Sequence, residues 1–125
     1  MAPQTTLIPI YTSRGDFGAI LVYPYIYNRQ GEWIGWSTPD RKVYSVHGQY
    51  VGFLAEGPRI LRKQADAFDQ PRLKPPSRPP RIRPPANAPL PPMMSELSMG
   101  VLDVLDDALD LMPTPDTGEA LEDMD

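Results

Sequence analysis

The sequence contains no cysteine and one histidine, and from Met93 to Asp125 it contains no Lys or Arg. Without cysteine there are no disulfide staples, no thiolate metal sites and no cysteine nucleophile. The lone His47 falls at a variable position of a predicted turn, where a solvated side chain is expected rather than a catalytic base. A Gly-rich phosphate loop is also missing, since Gly15-Asp16-Phe17-Gly18 has neither the lysine nor the strand-to-helix context such a loop needs. Asp103, Asp106 and Asp107 are clustered but would hold a hard cation only loosely. No window approaches the roughly 18 apolar residues that span a bilayer, and Met1 to Thr6 lack a basic, signal-like start. The expectation is therefore a cytoplasmic, non-enzymatic protein with no catalytic, cofactor-binding or metal-binding residues.

The abundant residues are unevenly placed. Of 16 acidic side chains, ten lie between Glu96 and Asp125, and all 12 basic ones lie before residue 93. The formal charge of −4 is thus the sum of a basic and an acidic segment. Ten of the 17 prolines fall between Pro71 and Pro92, a composition not expected to join a packed core. What remains is a small unit, near the size at which burial only just offsets chain entropy.

That unit repeats. Ile26-Tyr27-Asn28-Arg29-Gln30-Gly31-Glu32-Trp33-Ile34-Gly35-Trp36 aligns with Val43-Tyr44-Ser45-Val46-His47-Gly48-Gln49-Tyr50-Val51-Gly52-Phe53 at an offset of 17. A degenerate copy starts at Ile10 and carries Gly18 and Ala19 where Ile34 and Gly35 stand; a clipped fourth starts near Ile60. Short β-branched and aromatic runs suit a pleated surface, and Gly15, Gly31 and Gly48 sit where a tight turn needs positive φ. Each copy reads as a β-hairpin. One hairpin is marginal in water, so the copies must bury their faces on one another. The aromatics Tyr27, Trp33, Trp36, Tyr44, Tyr50 and Phe53 then read as core, with a ligand or peptide pocket as the alternative.

These two eleven-residue units, with the Gly57-Pro58-Arg59-Ile60-Leu61-Arg62 end and the Pro/Arg segment after it, resemble the bacterial four-fold beta flower domain proteins. The resemblance covers residues 7 to 63, about half the chain. It implies short two-stranded petals around a pseudo-four-fold axis, and it carries no activity, cofactor or site residues. The fold expected is mainly β: four repeated hairpins over residues 7–63, then a disordered Pro/Arg-rich linker over 64–92.

Within that linker Arg72, Lys74, Arg78, Arg81 and Arg83 read as a stiff basic spacer near polyproline II. Pro76-Ser77-Arg78-Pro79-Pro80-Arg81 also fits a PxxPxR recognition pattern. An acidic amphipathic helix is expected over residues 93–113, with Ser95 as N-cap, Pro113 as its stop and a stripe of Leu97, Val101, Leu102, Leu105, Leu109 and Met112. Residues 114–125 read as a disordered acidic tail. Too short to be stable alone, the helix needs a partner for its stripe. The leading expectation is a protein-interaction module that shows those six residues to another protein or a second copy. Docking of the stripe onto its own domain is the structural alternative. The functional alternative is a ligand- or nucleic-acid-binding module using the repeat aromatics and the linker bases, with nucleic acid disfavoured because no aromatic is interleaved with those bases.

Overall fold

The structure, a computed structural model, describes residues 6–64 and 71–115. Outside the described residues lie 65–70 of the expected linker and 116–125 of the expected acidic tail. Seven strands come from the repeats: β1 (Ile8–Tyr11), β2 (Phe17–Val22), β3 (Tyr25–Asn28), β4 (Trp33–Ser37), β5 (Lys42–Ser45), β6 (Tyr50–Ala55) and β7 (Arg59–Lys63). An eighth, β8 (Val101–Asp103), arrives from the far end of the chain, and all eight form one antiparallel sheet in sequence order.

The hairpin tips share one device. A small polar side chain opens each turn and accepts backbone N–H groups ahead of it. Asn28 Oδ1 accepts from Gln30 N and Glu32 N, Ser45 Oγ from His47 N and Gln49 N, and Thr12 Oγ1 from Asp16 N. A glycine at positive φ closes each turn, and a register shift marks the adjoining strand pair in each of the three hairpins. The repeat position held by Thr12, Asn28 and Ser45 is therefore a turn lock.

Alternation along the strands divides the repeats between two faces. The first β-branched residue of every copy, Ile10, Ile26, Val43 and Ile60, is fully buried in one cluster with Ile34 and Val51. That these residues meet requires the sheet to curl into a half-barrel, and Tyr11 N donates 2.9 Å to Pro58 O where β1 comes back against β7. The opposite face carries Ile20, Tyr27, Trp33 and Val46 with Phe17, Tyr25 and Trp36 around them. The aromatic set belongs mainly to this second layer. Its two indoles are satisfied, Trp33 donating to Gly35 O and Trp36 to Ser45 O.

The C-terminal stripe does not form the expected single helix. Gly100 has φ +80°, Val101–Asp103 pair with Lys63–Leu61, and helix α1 is one turn, Val104–Asp107, followed by a 3₁₀ turn over Leu109–Leu111. The fourth repeat explains why. It supplies β7 but no second strand, and the open edge of β7 takes β8 instead. Asp103 is both the last residue of β8 and the N-cap of α1, its carboxylate accepting from Leu105 N and Asp106 N. An 18-residue helix is only marginal in water, so pairing an open strand edge outweighs it. Beyond β8, Val104, Leu105 and Met112 plug the half-barrel and join its buried cluster.

The odd first copy now has a reason. A Cβ at Gly18 would stand 2.9 Å from Leu105 Cδ1, so the missing isoleucine of the first hairpin leaves the space that Leu105 fills. The first hairpin departs from the others where the plug sits.

A polar knot ties the plug down. Buried Asp103 accepts from Ser13 N at 2.6 Å and Ser13 Oγ at 2.7 Å, and the buried Arg59 donates to Ser13 Oγ, Ser95 O and Glu56 O. First hairpin, β7 and C-terminal segment are thereby joined with every buried side-chain polar atom among the described residues satisfied.

Two outcomes follow for stability. Leu105→Ala should lower the unfolding free energy by about 2–5 kcal/mol in denaturant titration, whereas Leu109→Ala, at a side chain 56% exposed, should change it by less than about 0.5 kcal/mol. A partner-facing helical stripe would instead leave both nearly silent in the isolated protein. Asp106 is the pH-sensitive element of the plug. Burial, partly offset by Arg14 at 3.6 Å and reinforced by Asp103, Asp107 and Asp16, pushes its carboxyl above the usual range. The folded state then holds this proton more tightly than the unfolded state, so the associated stability is present at low pH and lost as pH rises through the folded pKa. Asp106→Asn should melt above the wild type at pH 7, with the difference closing as pH falls toward about 3.9, the unperturbed carboxylate value.

Candidate functional site

The proline-rich segment is where sequence expectation and structure part most. Its composition leads to the expectation of a disordered linker, or of a stiff basic spacer near polyproline II. Residues 71–97 lie against the hairpin tips instead. Leu73 N donates to Gly48 O at 2.9 Å, and Ile82 N donates to Gly31 O at 3.1 Å. Tyr11 Oη donates to Pro89 O at 2.5 Å, and Pro91 Cγ approaches Gly15. The segment thus passes the third, second and first hairpin turns in that order, and Met94 and Ser95 then reach Gly57 and Arg59 beside β7. It is a belt.

Its periodicity states how it sits. Leu73, Pro76, Pro79, Ile82, Pro85, Ala88, Pro91, Met94 and Leu97 are each half-buried or buried, whereas most of the positions between them are exposed. A burial period of three is that of polyproline II, which has three residues per turn and no internal hydrogen bonds. Every inward residue is apolar. One edge of the belt faces the domain and two edges face out.

The contacts also recur every nine residues, at 73, 82 and 91, which is three polyproline II turns per hairpin. The signal is visible in the residues once the spacing is known: Arg72-Leu73-Lys74-Pro75-Pro76 repeats as Arg81-Ile82-Arg83-Pro84-Pro85. Reading the segment by composition alone hides it.

The belt's five bases all occupy exposed positions. Arg72, Arg78 and Arg81 follow one outward edge, and Lys74 and Arg83 follow the other. Arg81 also donates to Gln30 O at 3.3 Å, holding this edge to the second hairpin tip. Further along the first edge, Leu90 and Met93 stand one turn apart and fully exposed. The PxxPxR pattern reads differently here, because Pro76 and Pro79 are inward residues turned to the domain. Between the belt and the first hairpin lies an apolar cavity of about 120 Å³ lined by Leu7, Pro9, Phe17, Ile20, Pro85 and Ala88, among others.

The six residues expected to meet a partner are dispersed. Leu105 and Met112 are buried in the core, and Leu102 is half-buried against it. Val101 is a half-buried residue of β8, Leu97 is the last inward residue of the belt, and Leu109 is exposed. Self-docking, the alternative reading of this stripe, describes their placement. His47 is exposed at the third hairpin tip. Among the described residues no group of three or more His, Cys, Asp or Glu is placed to hold a metal, and no helix is long and apolar enough to cross a membrane.

No protein-family profile, curated protein or solved structure matches the chain.

The packing of the belt gives one direct check. Ile82→Asp places a carboxylate against the aromatic layer around Trp33 and Trp36, and should lower stability by about 2–3 kcal/mol in chemical denaturation, with a red shift of tryptophan emission. Arg83→Ala, next in sequence but exposed, should change neither by a measurable amount.

Proposed function

We propose that the protein is a non-enzymatic interaction module, built on the pseudo-four-fold hairpin plan of the beta flower proteins it resembles, which offers the outward edges of its belt to an acidic segment of a partner protein. One observation carries this reading. All five bases of residues 71–92 lie on the exposed edges of a segment whose inward edge is wholly apolar. Such a split is not needed for packing, since any polar residue would serve outside. A docked polyproline II strand holds the cations about 9 Å apart per turn along each edge. That preorganisation lowers the entropy lost on binding compared with bases on a free chain. Exposed Leu90 and Met93 continue the edge, so the favoured ligand is acidic with an apolar neighbour.

The expected role of the C-terminal stripe as the partner-binding element is less well supported by the arrangement, because Leu105 and Met112 are spent in the core. Nucleic acid remains the competing class, and the same bases would contact its phosphates.

The test uses fluorescent poly-L-glutamate and a single-stranded oligonucleotide of equal charge. Binding of the polyglutamate, weakening with salt and reduced at least tenfold by the combined Arg78→Ala, Arg81→Ala and Arg83→Ala changes, is the expected result. A preference for the oligonucleotide would transfer the reading to nucleic acid. Binding of neither, or binding indifferent to the three arginines, would remove it.

A further inference from the structure

The two best-formed belt contacts are the same contact made twice. At Gly48 the backbone of Leu73 donates its N–H to the glycine carbonyl, and its own carbonyl oxygen comes so close that a Cβ on Gly48 would stand 2.0 Å from it. At Gly31 the backbone of Ile82 does the same, again with 2.0 Å to the hypothetical Cβ. In each case the neighbour nearest the glycine after that backbone is a belt side chain, Arg72 in one and Pro84 in the other. The hairpin tip thus presents a carbonyl acceptor and a surface open to backbone, because the closing residue has no side chain. Beside it the outer layer of the sheet offers an apolar seat, which Ile82 shares with Trp33 and Tyr27.

A site that repeats in step with its ligand is a recognition surface with a register. Hairpin turns recur at 31 and 48, and belt anchors at 73 and 82, so one 17-residue hairpin is matched to one nine-residue polyproline unit. The ligand chemistry can be read from the seated chain. One non-proline apolar residue per nine must donate its N–H, and the inward positions three and six residues on are filled by Pro76 and Pro79 in one unit and by Pro85 and Ala88 in the next. Proline suits those positions because their N–H groups would have no acceptor.

We infer that the hairpin tips form a polyproline II receptor, occupied in cis by the chain's own residues 71–97, which accepts in trans a proline-rich segment of the same nine-residue register. This reading is independent of the outward basic edge. The one concerns what the tips bind, the other what the belt shows. Tethering gives the chain's own belt an effective concentration of order millimolar, so a free segment competes only at high concentration or when the cis anchors are weakened. The site is self-occupied at rest.

The test uses the full chain and a labelled synthetic peptide of residues 71–97. With Leu73→Asp and Ile82→Asp together, the chain should bind the peptide at one to one in fluorescence anisotropy, at least tenfold more tightly than the wild type does. A scrambled peptide of the same composition should not bind. No binding by the folded variant, or equal binding of the scrambled peptide, overturns the inference. Should the variant fail to fold, the wild type decides. Millimolar unlabelled peptide added to ¹⁵N-labelled chain should move the Leu73 and Ile82 amide resonances toward their free-peptide positions, and resonances that stay unchanged overturn it.

Discussion

An unpaired strand edge organises this molecule. Three repeats form complete hairpins, while the fourth contributes only β7, and a strand with open N–H and C=O groups beside a curled hydrophobic layer cannot stand uncovered. The partner comes from Val101–Asp103, almost forty residues later in the chain. The belt of residues 71–97 lies between the two, and Val104, Leu105 and Met112 enter the half-barrel beyond the point where β8 ends. The belt and the plug are therefore consequences of one missing hairpin strand.

The plug converts that constraint into a core. Asp103 ends the strand, caps the short helix and anchors to the Ser13 turn in one residue, so pairing at β8 and burial of Leu105 and Met112 form together. A carboxylate buried in this way is tolerable because four N–H or O–H groups meet it. The buried guanidinium of Arg59 is likewise satisfied by a hydroxyl and two carbonyls. These bonds set the direction of the chain as it leaves the sheet, which apolar contact alone would not do.

Travel round the hairpin tips explains the proline content. A long return segment with ordinary backbone would expose or bury many unpaired N–H groups, and proline removes the donor while holding the chain extended. Three residues per turn and three turns per hairpin keep an apolar edge inward along the whole path. That same geometry throws the basic residues outward, and it is the physical basis for the proposed interaction surface. The recurring Gly31 and Gly48 contacts make the tips, in the proposal above, a receptor as well as a scaffold.

The hairpins were legible in the residues because their causes are local: turn-locking Asn28 and Ser45, glycine at positive φ, and alternation that sends Ile26 and Val43 inward. Even the fault in the first copy was legible, although its reason was not, since only contact with Leu105 shows why Gly18 stands there. The apolar residues from Leu97 to Met112 carry a helical period, but pairing of Val101–Asp103 with the open edge of β7 outweighs it. Gly100, at φ +80°, reverses the chain ahead of β8, and Asp103 ends that strand and caps the one-turn helix, so a continuous helix is replaced at these two residues. The sequence by itself determined four repeated β-units and a basic, proline-rich segment of polyproline II character. Which distant strand completes β7, and what the belt lies upon, depended on surfaces that exist only after the sheet has curled, because both are pairings between residues far apart in the chain.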